Sequence, residues 1–131
     1  MDLLSASCRV ALAGLCHDLG KFAQRAQEVS SQTDKNTHIQ LYCPRTPEGY
    51  HTHIHAAFTA LAFGVIEKIA PPIASGDLFP FESRDSLSKA TDSLINCCAA
   101  HHYPQTFLQW IVATADRVAS GFERETFDKY N

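Results

Sequence analysis

Apolar residues in this chain recur at helical spacing in four separate stretches, and no segment alternates polar and apolar residues as a half-buried strand does. The expected fold is therefore all-α, a compact domain of about four to six helices. The first stretch puts Leu4, Cys8, Ala11, Leu12, Leu15, Leu19 and Phe22 on one stripe at about 100° per residue, with Ser5 or Ser7 available as a cap. It is expected to run to about residue 28, across Gly20 or with a break there. Residues 30–50 are polar and contain Pro44, Pro47 and Gly49, so they read as a loop, long enough to be functional and to gate a site. The second helix spans about His53 to Ile69, with Ile54, Phe58, Leu61, Val65 and Ile69 inward, and Pro71-Pro72 stops it. After an irregular connection to about Arg84, a third helix covers about Asp85 to Ala100 and buries Leu87, Ala90, Leu94 and Cys97. Beyond Pro104, a fourth helix from about Gln105 to Ser120 buries Leu108, Ile111, Val112, Ala115 and Ala119, with Gly121 as its stop.

A chain of 131 residues with 45% hydrophobic content fills one core, so residues 1–131 are expected to form a single domain. Its apolar runs fall short of the roughly 18 residues that span a membrane, and Asp2 stands where an export signal carries basic residues. Neither a membrane nor export is indicated. Five cysteines, an odd number without a Cys-x-x-Cys pair, argue against a disulfide framework or a cysteine zinc site and fit a reducing cytoplasm. Cys16 and Cys97 read as small core residues. The net charge of −3 gives no global attraction to nucleic acid, so a polyanion needs a local patch or a bound metal.

Such a metal has candidate ligands. His17 and Asp18 lie side by side, and on a helix Lys21 and Arg25 share their flank. On the second helix His55 lies at the border of the apolar face, whereas His51 and His53 read as exposed helix-start residues that can touch substrate. His101 continues the Leu94 and Cys97 stripe and His102 lies about a quarter turn round, so either can coordinate. Asp116 occupies the margin of the last apolar stripe, where an unpaired carboxylate is costly and needs a counter-charge. Mixed nitrogen and oxygen ligands suit Mn, Fe, Ni, Co or Zn better than calcium. One or two such ions polarise a phosphoryl oxygen and lower the pKa of water, and Asp18 is the natural bridge between two. A second grouping of His38, Cys43 and His51 has irregular spacing.

These residues resemble the HD phosphohydrolase superfamily, named for its metal-binding His-Asp pair. Ordinary members carry a lone histidine before that pair, and here no histidine precedes His17. The order with the pair first is similar to the circularly permuted HD domain at the N-terminus of the large subunit of type III CRISPR effector complexes. The resemblance runs through Leu15-Cys16-His17-Asp18-Leu19-Gly20-Lys21-Phe22, His53-Ile54-His55-Ala56-Ala57, Ala100-His101-His102-Tyr103-Pro104 and Ala115-Asp116-Arg117-Val118-Ala119-Ser120-Gly121. His101-His102-Tyr103-Pro104 lacks the Asp-Gly-x-Gly-Tyr-Pro continuation of the superfamily's cyclic-dinucleotide phosphodiesterases.

The resemblance implies metal-dependent hydrolysis of single-stranded DNA in CRISPR antiviral defence, inside a complex that recognises a target transcript through guide RNA. It implies His17, Asp18, His55, His101 or His102, and Asp116 as metal ligands. Lys21 would neutralise phosphate charge or orient Asp18, and Arg25 and His53 would help hold the strand. Its partners would be the remaining domains of the large subunit and the other effector subunits. With the chain ending at Asn131, it would be a domain excised from a larger protein, or a standalone one. The same ligands suit an HD-family nucleotide phosphohydrolase acting on a small nucleotide, and a non-enzymatic helical interaction domain is the third reading.

Overall fold

Asp2, not Ser5 or Ser7, starts the first helix: its carboxylate accepts the Ser5 N–H at 2.9 Å. The computed structural model describes residues 2–26, 31–75, 78–82 and 90–130. Its α-helices are α1 (Leu3–Cys16), α2 (Leu19–Arg25), α3 (Gln32–Tyr42), α4 (His55–Ile69), α5 (Pro71–Ser75), α6 (Leu94–Ala99) and α7 (Phe107–Tyr130). Single 3-10 turns occupy Ala90–Asp92 and Ala100–His102. The described residues contain no strand, and the fold is all-α. Among them no helix is long and apolar enough to cross a membrane.

The break between α1 and α2 falls at His17-Asp18 rather than at Gly20. Gly20 instead lies where α2 meets α4: a Cβ there would stand 1.8 Å from the His55 carbonyl oxygen and 2.4 Å from the Thr59 nitrogen. The Gly20 N–H donates to the Thr59 hydroxyl at 3.0 Å, and that hydroxyl reaches the His17 carbonyl at 2.9 Å. One buried threonine thus ties both sides of the break to α4.

The buried face of α1 is rotated from the expected stripe. Arg9 and Ala13 are buried with Ala6, Val10, Leu12 and Cys16 against the core, while Leu15 is 81% and Phe22 71% exposed. The cause is Arg9, a charge that an apolar count puts outside. Its guanidinium donates to the Phe81 carbonyl at 3.1 Å and the Asp92 carbonyl at 2.9 Å, satisfying groups that apolar surroundings would otherwise orphan. Glu82 is buried nearby and accepts the Leu94 N–H at 2.8 Å, while Ser93 caps α6.

Helix α4 is central, packed by α2, α3, α5 and α6. Its run from Ala56 to Leu61 is buried, and its small residues let neighbouring backbones approach. Phe58 and Leu61 face inward as expected, but Val65 and Ile69 are exposed at the end that leaves the core. Residues 32–42, expected as loop, form α3. Ser31 accepts the Asp34 N–H at 3.0 Å, and Gln32 donates to Asn36 one turn on. Ile39 and Tyr42 pack on Ala56, Ala57 and Ala60, too few apolar residues to mark a stripe.

Leu94 and Cys97 are buried as expected, whereas residues 83–89 of the expected third helix, with Leu87, lie outside the described residues. The last helix does not stop at Gly121 but continues to Tyr130. It buries Leu108 and Val112, while Ile111, Ala115 and Ala119 face outward.

Candidate metal centre

Three helix ends and one helix flank converge on Asp18. His17 is the C-cap of α1, His55 the first residue of α4, and His101 and His102 form the 3-10 turn after α6. Asp116 reaches in from α7. Asp18 Oδ2 lies 3.5 Å from His17 Nε2, and Asp18 Oδ1 lies 3.6 Å from His55 Nε2 and 3.7 Å from His101 Nε2. Asp116 Oδ1 is 3.1 Å from His17 Nε2, and the Nε2 atoms of His55 and His102 are 3.0 Å apart. The structure therefore brings together His17, Asp18, His55, His101, His102 and Asp116, and engages both members of the His101-His102 pair.

The backbone sets the imidazole tautomers. His17 Nδ1 faces the Gly14 carbonyl at 2.6 Å and His101 Nδ1 faces the Cys98 carbonyl at 2.7 Å. Carbonyl oxygens only accept, so both Nδ1 atoms carry the proton and both Nε2 atoms turn inward. A backbone carbonyl that accepts the far ring N–H is a usual means of aiming a ligating histidine. His101 is 1% exposed, and its Nε2 is buried without a hydrogen-bond partner among the described residues. A neutral His17 aims a lone pair at the Asp116 carboxylate. That contact is attractive only with a proton or a metal ion between the two.

Protons do not fill the interior of the cluster at neutral pH. Burial pulls His101 down to about 4, and burial with the neighbouring imidazoles pulls His102 down to about 3. Burial lowers His55 as well. Although burial pushes Asp18 upward, the Lys21 hydrogen bond and the His17 and Lys21 charges outweigh it and hold Asp18 below the usual carboxylate range. Neutral imidazoles around an ionised carboxylate are the protonation states that metal binding requires. The donor set fits a divalent ion, and two overlapping groups, His17-Asp18-His101 and His55-His101-His102, can each hold one. His101 has one lone pair to give and serves one ion. Asp18 sends its two oxygens toward different imidazoles, as a bridge does.

Lys21 lies at the rim, its ammonium 2.8 Å from Asp18 Oδ2. Arg25 is exposed in the last turn of α2, and among the described residues no ion pair ties it to the cluster. His53 precedes α4 rather than starting it. Its φ of 56° turns the ring onto His102, with centroids 4.0 Å apart. His38, Cys43 and His51 do not form a second metal group among the described residues: His38 stacks on Tyr42, and His51 Nδ1 donates to the Cys43 carbonyl at 2.9 Å. Sequence reading passed over Thr59, whose clue is a lone hydroxyl inside the apolar run Ala56-Ala57-Phe58-Thr59-Ala60-Leu61.

No protein-family model, curated protein or solved structure matches this chain. The fold and site define a helical domain with a half-buried histidine-aspartate group able to hold a metal ion.

Proposed function

We propose that this chain is a metal-dependent nuclease domain that hydrolyses phosphodiester bonds of single-stranded DNA. In this reading it is a permuted HD domain serving type III CRISPR defence, working with the rest of a large subunit and a guide-RNA complex. The observation that carries the metal is the inward convergence of three imidazole nitrogens on Asp18, with Asp116 on His17, His102 on His55, and His101 Nε2 buried and unpartnered among the described residues. The shallow setting favours a strand over an engulfed nucleotide: the Asp18 side chain is 37% and the Lys21 side chain 53% exposed.

His17, Asp18, His55, His101, His102 and Asp116 would hold one or two transition-metal ions, with manganese and nickel the first candidates. When bound, such ions lower the pKa of water and polarise a phosphoryl oxygen, so no serine or cysteine nucleophile is required. The Gly14 and Cys98 carbonyls keep the His17 and His101 rings aimed inward. Lys21 holds Asp18 ionised and presents positive charge at the rim, where a non-bridging phosphate oxygen would lie.

The test is incubation of the purified protein with labelled single-stranded DNA, a nucleotide panel and separate divalent ions. Expected is ion-dependent cutting of unpaired DNA that falls by about a hundredfold or more in the His17→Ala, Asp18→Ala double variant, beyond the usual loss from changing a group that only supports a ligand. Turnover of nucleotides with no cutting of DNA overturns this reading in favour of a nucleotide phosphohydrolase.

A further inference from the structure

A recess beside the histidine cluster has the chemistry of a nucleotide-binding site. Gln40, Cys43, Arg45, His51 and Tyr103 line a space of about 380 Å³. That lies at the low end of ligand-pocket volumes and suits one nucleotide rather than several.

The recess is built by a small hairpin. After α3 the chain turns back on itself through Thr46 N–H to the Tyr50 carbonyl at 2.8 Å and Thr52 N–H to the Pro44 carbonyl at 3.0 Å. These bonds set Arg45 opposite His51. Gly49, with φ of 97°, closes the turn, and its carbonyl accepts from Arg45 Nε at 3.2 Å. That bond orients the guanidinium while leaving its terminal nitrogens to a ligand, and no carboxylate pairs with Arg45 among the described residues. His51 donates Nδ1–H to the Cys43 carbonyl at 2.9 Å, which makes Nε2 the nitrogen with the lone pair. Among the described residues the lining offers a guanidinium, an imidazole, an amide and a phenol ring but no carboxylate.

The recess is linked to the proposed metal centre through two of its lining residues, Tyr103 and Cys43. Tyr103 follows His101 and His102 directly and is 45% exposed. Cys43 Sγ donates to the His53 carbonyl at 3.5 Å, and the His53 ring lies on His102. A strand with its scissile phosphate at Asp18 and Lys21 therefore has an adjacent place for its next nucleotide. A planar guanidinium suits a phosphate, and an exposed tyrosine face suits a base regardless of its identity.

We propose that this recess holds the nucleotide flanking the scissile phosphate of single-stranded DNA, with Arg45 on its phosphate and Tyr103 stacked on its base. The assignment of the strand rests on the nuclease reading above. Its test is binding, not cleavage. Fluorescence anisotropy is measured with a labelled oligothymidylate in EDTA, across a salt series, with thymidine monophosphate as competitor.

Arg45→Gln should weaken strand binding about tenfold, the cost of a charge-assisted phosphate contact, and lower the salt slope by about one. Tyr103→Ala should weaken it about fivefold or more through lost stacking, while Tyr103→Phe binds as wild type does. Both positions are exposed, and unchanged melting temperatures establish that the variants are folded. Wild-type protein that fails to bind the strand, or Arg45→Gln and Tyr103→Ala variants that bind within about twofold of wild type, overturns the proposal. A monophosphate that binds as tightly as the strand, and is weakened equally by Arg45→Gln, makes the recess a free-nucleotide site and overturns the strand assignment. Arg45-dependent strand binding in a protein that cuts no DNA with any ion sinks the nuclease reading and leaves the recess as a strand-binding site with no scissile phosphate beside it.

Discussion

His101 has its Nδ1–H committed to the Cys98 carbonyl and its Nε2 sealed among other imidazoles, so acid must force a charge into a closed space. His102 is partly buried, edge-on to His55 and stacked on His53, so its protonation is opposed by the neighbouring imidazoles. The folded values of about 4 and about 3 lie below the ordinary 6.5, so between these limits the unfolded chain binds more protons than the folded one. Stability from these residues is fully present above about 6.5 and is lost progressively as pH falls toward the folded values. Metal-free protein should therefore melt at lower temperature at pH 5 than at pH 7, with a shallower dependence in the His101→Gln, His102→Gln variant. Equal slopes in the two proteins would show that the imidazoles are not held neutral by the fold. At this scale the sequence was informative where an ionisable residue bordered an apolar stripe: His17, Asp18, His55 and Asp116 all reach the cluster. It left His101 and His102 as alternatives, because a helical projection does not anticipate the 3-10 turn that sends both rings inward.

The two short helices after His17 hold their place through α4. Its backbone comes so close to Gly20 that any side chain there meets the His55 carbonyl, which belongs to a proposed ligand. Gly20→Ala should cost about 3 kcal/mol or more, the upper range of overpacking, because the clash is with backbone and not with a side chain that can swing away. Thr59→Val keeps the shape but leaves the Gly20 N–H and the His17 carbonyl without the hydroxyl they share, for an expected loss of about 1–3 kcal/mol. Urea unfolding measures both, and a Thr59→Val midpoint equal to wild type would remove the hydroxyl from the account. Periodicity found α1, α4 and the last helix because each has a long apolar face. It missed α3, which rests on a cap, an i,i+4 amide pair and two large apolar contacts. It also misjudged the rotation of α1, where buried Arg9 stands at the centre of the inner face and is satisfied by carbonyls from distant segments.

Across the molecule, the candidate ligands come from the ends of α1, α4 and the turn after α6, and from the flank of α7. These elements are already packed together, α1 on α6 and α7, and α4 on α2, α3 and α6. A metal ion bound to them favours only the folded arrangement, since the unfolded chain scatters the ligands over 100 positions from His17 to Asp116. The stabilisation follows mass action and reaches about 2.7 kcal/mol when free ion exceeds its dissociation constant about a hundredfold. For a domain of this length that corresponds to a rise in melting temperature of roughly 10 °C. Manganese or nickel added to chelator-treated protein should produce that rise, and excess EDTA should reverse it. The same additions should raise the His17→Ala, Asp18→Ala variant less than wild type, because of the two candidate groups only His55-His101-His102 remains whole. A wild-type melting curve indifferent to every transition metal, at a pH where the buried imidazoles are neutral, would mean that the cluster holds no ion. The inward-facing lone pairs would then require another cation.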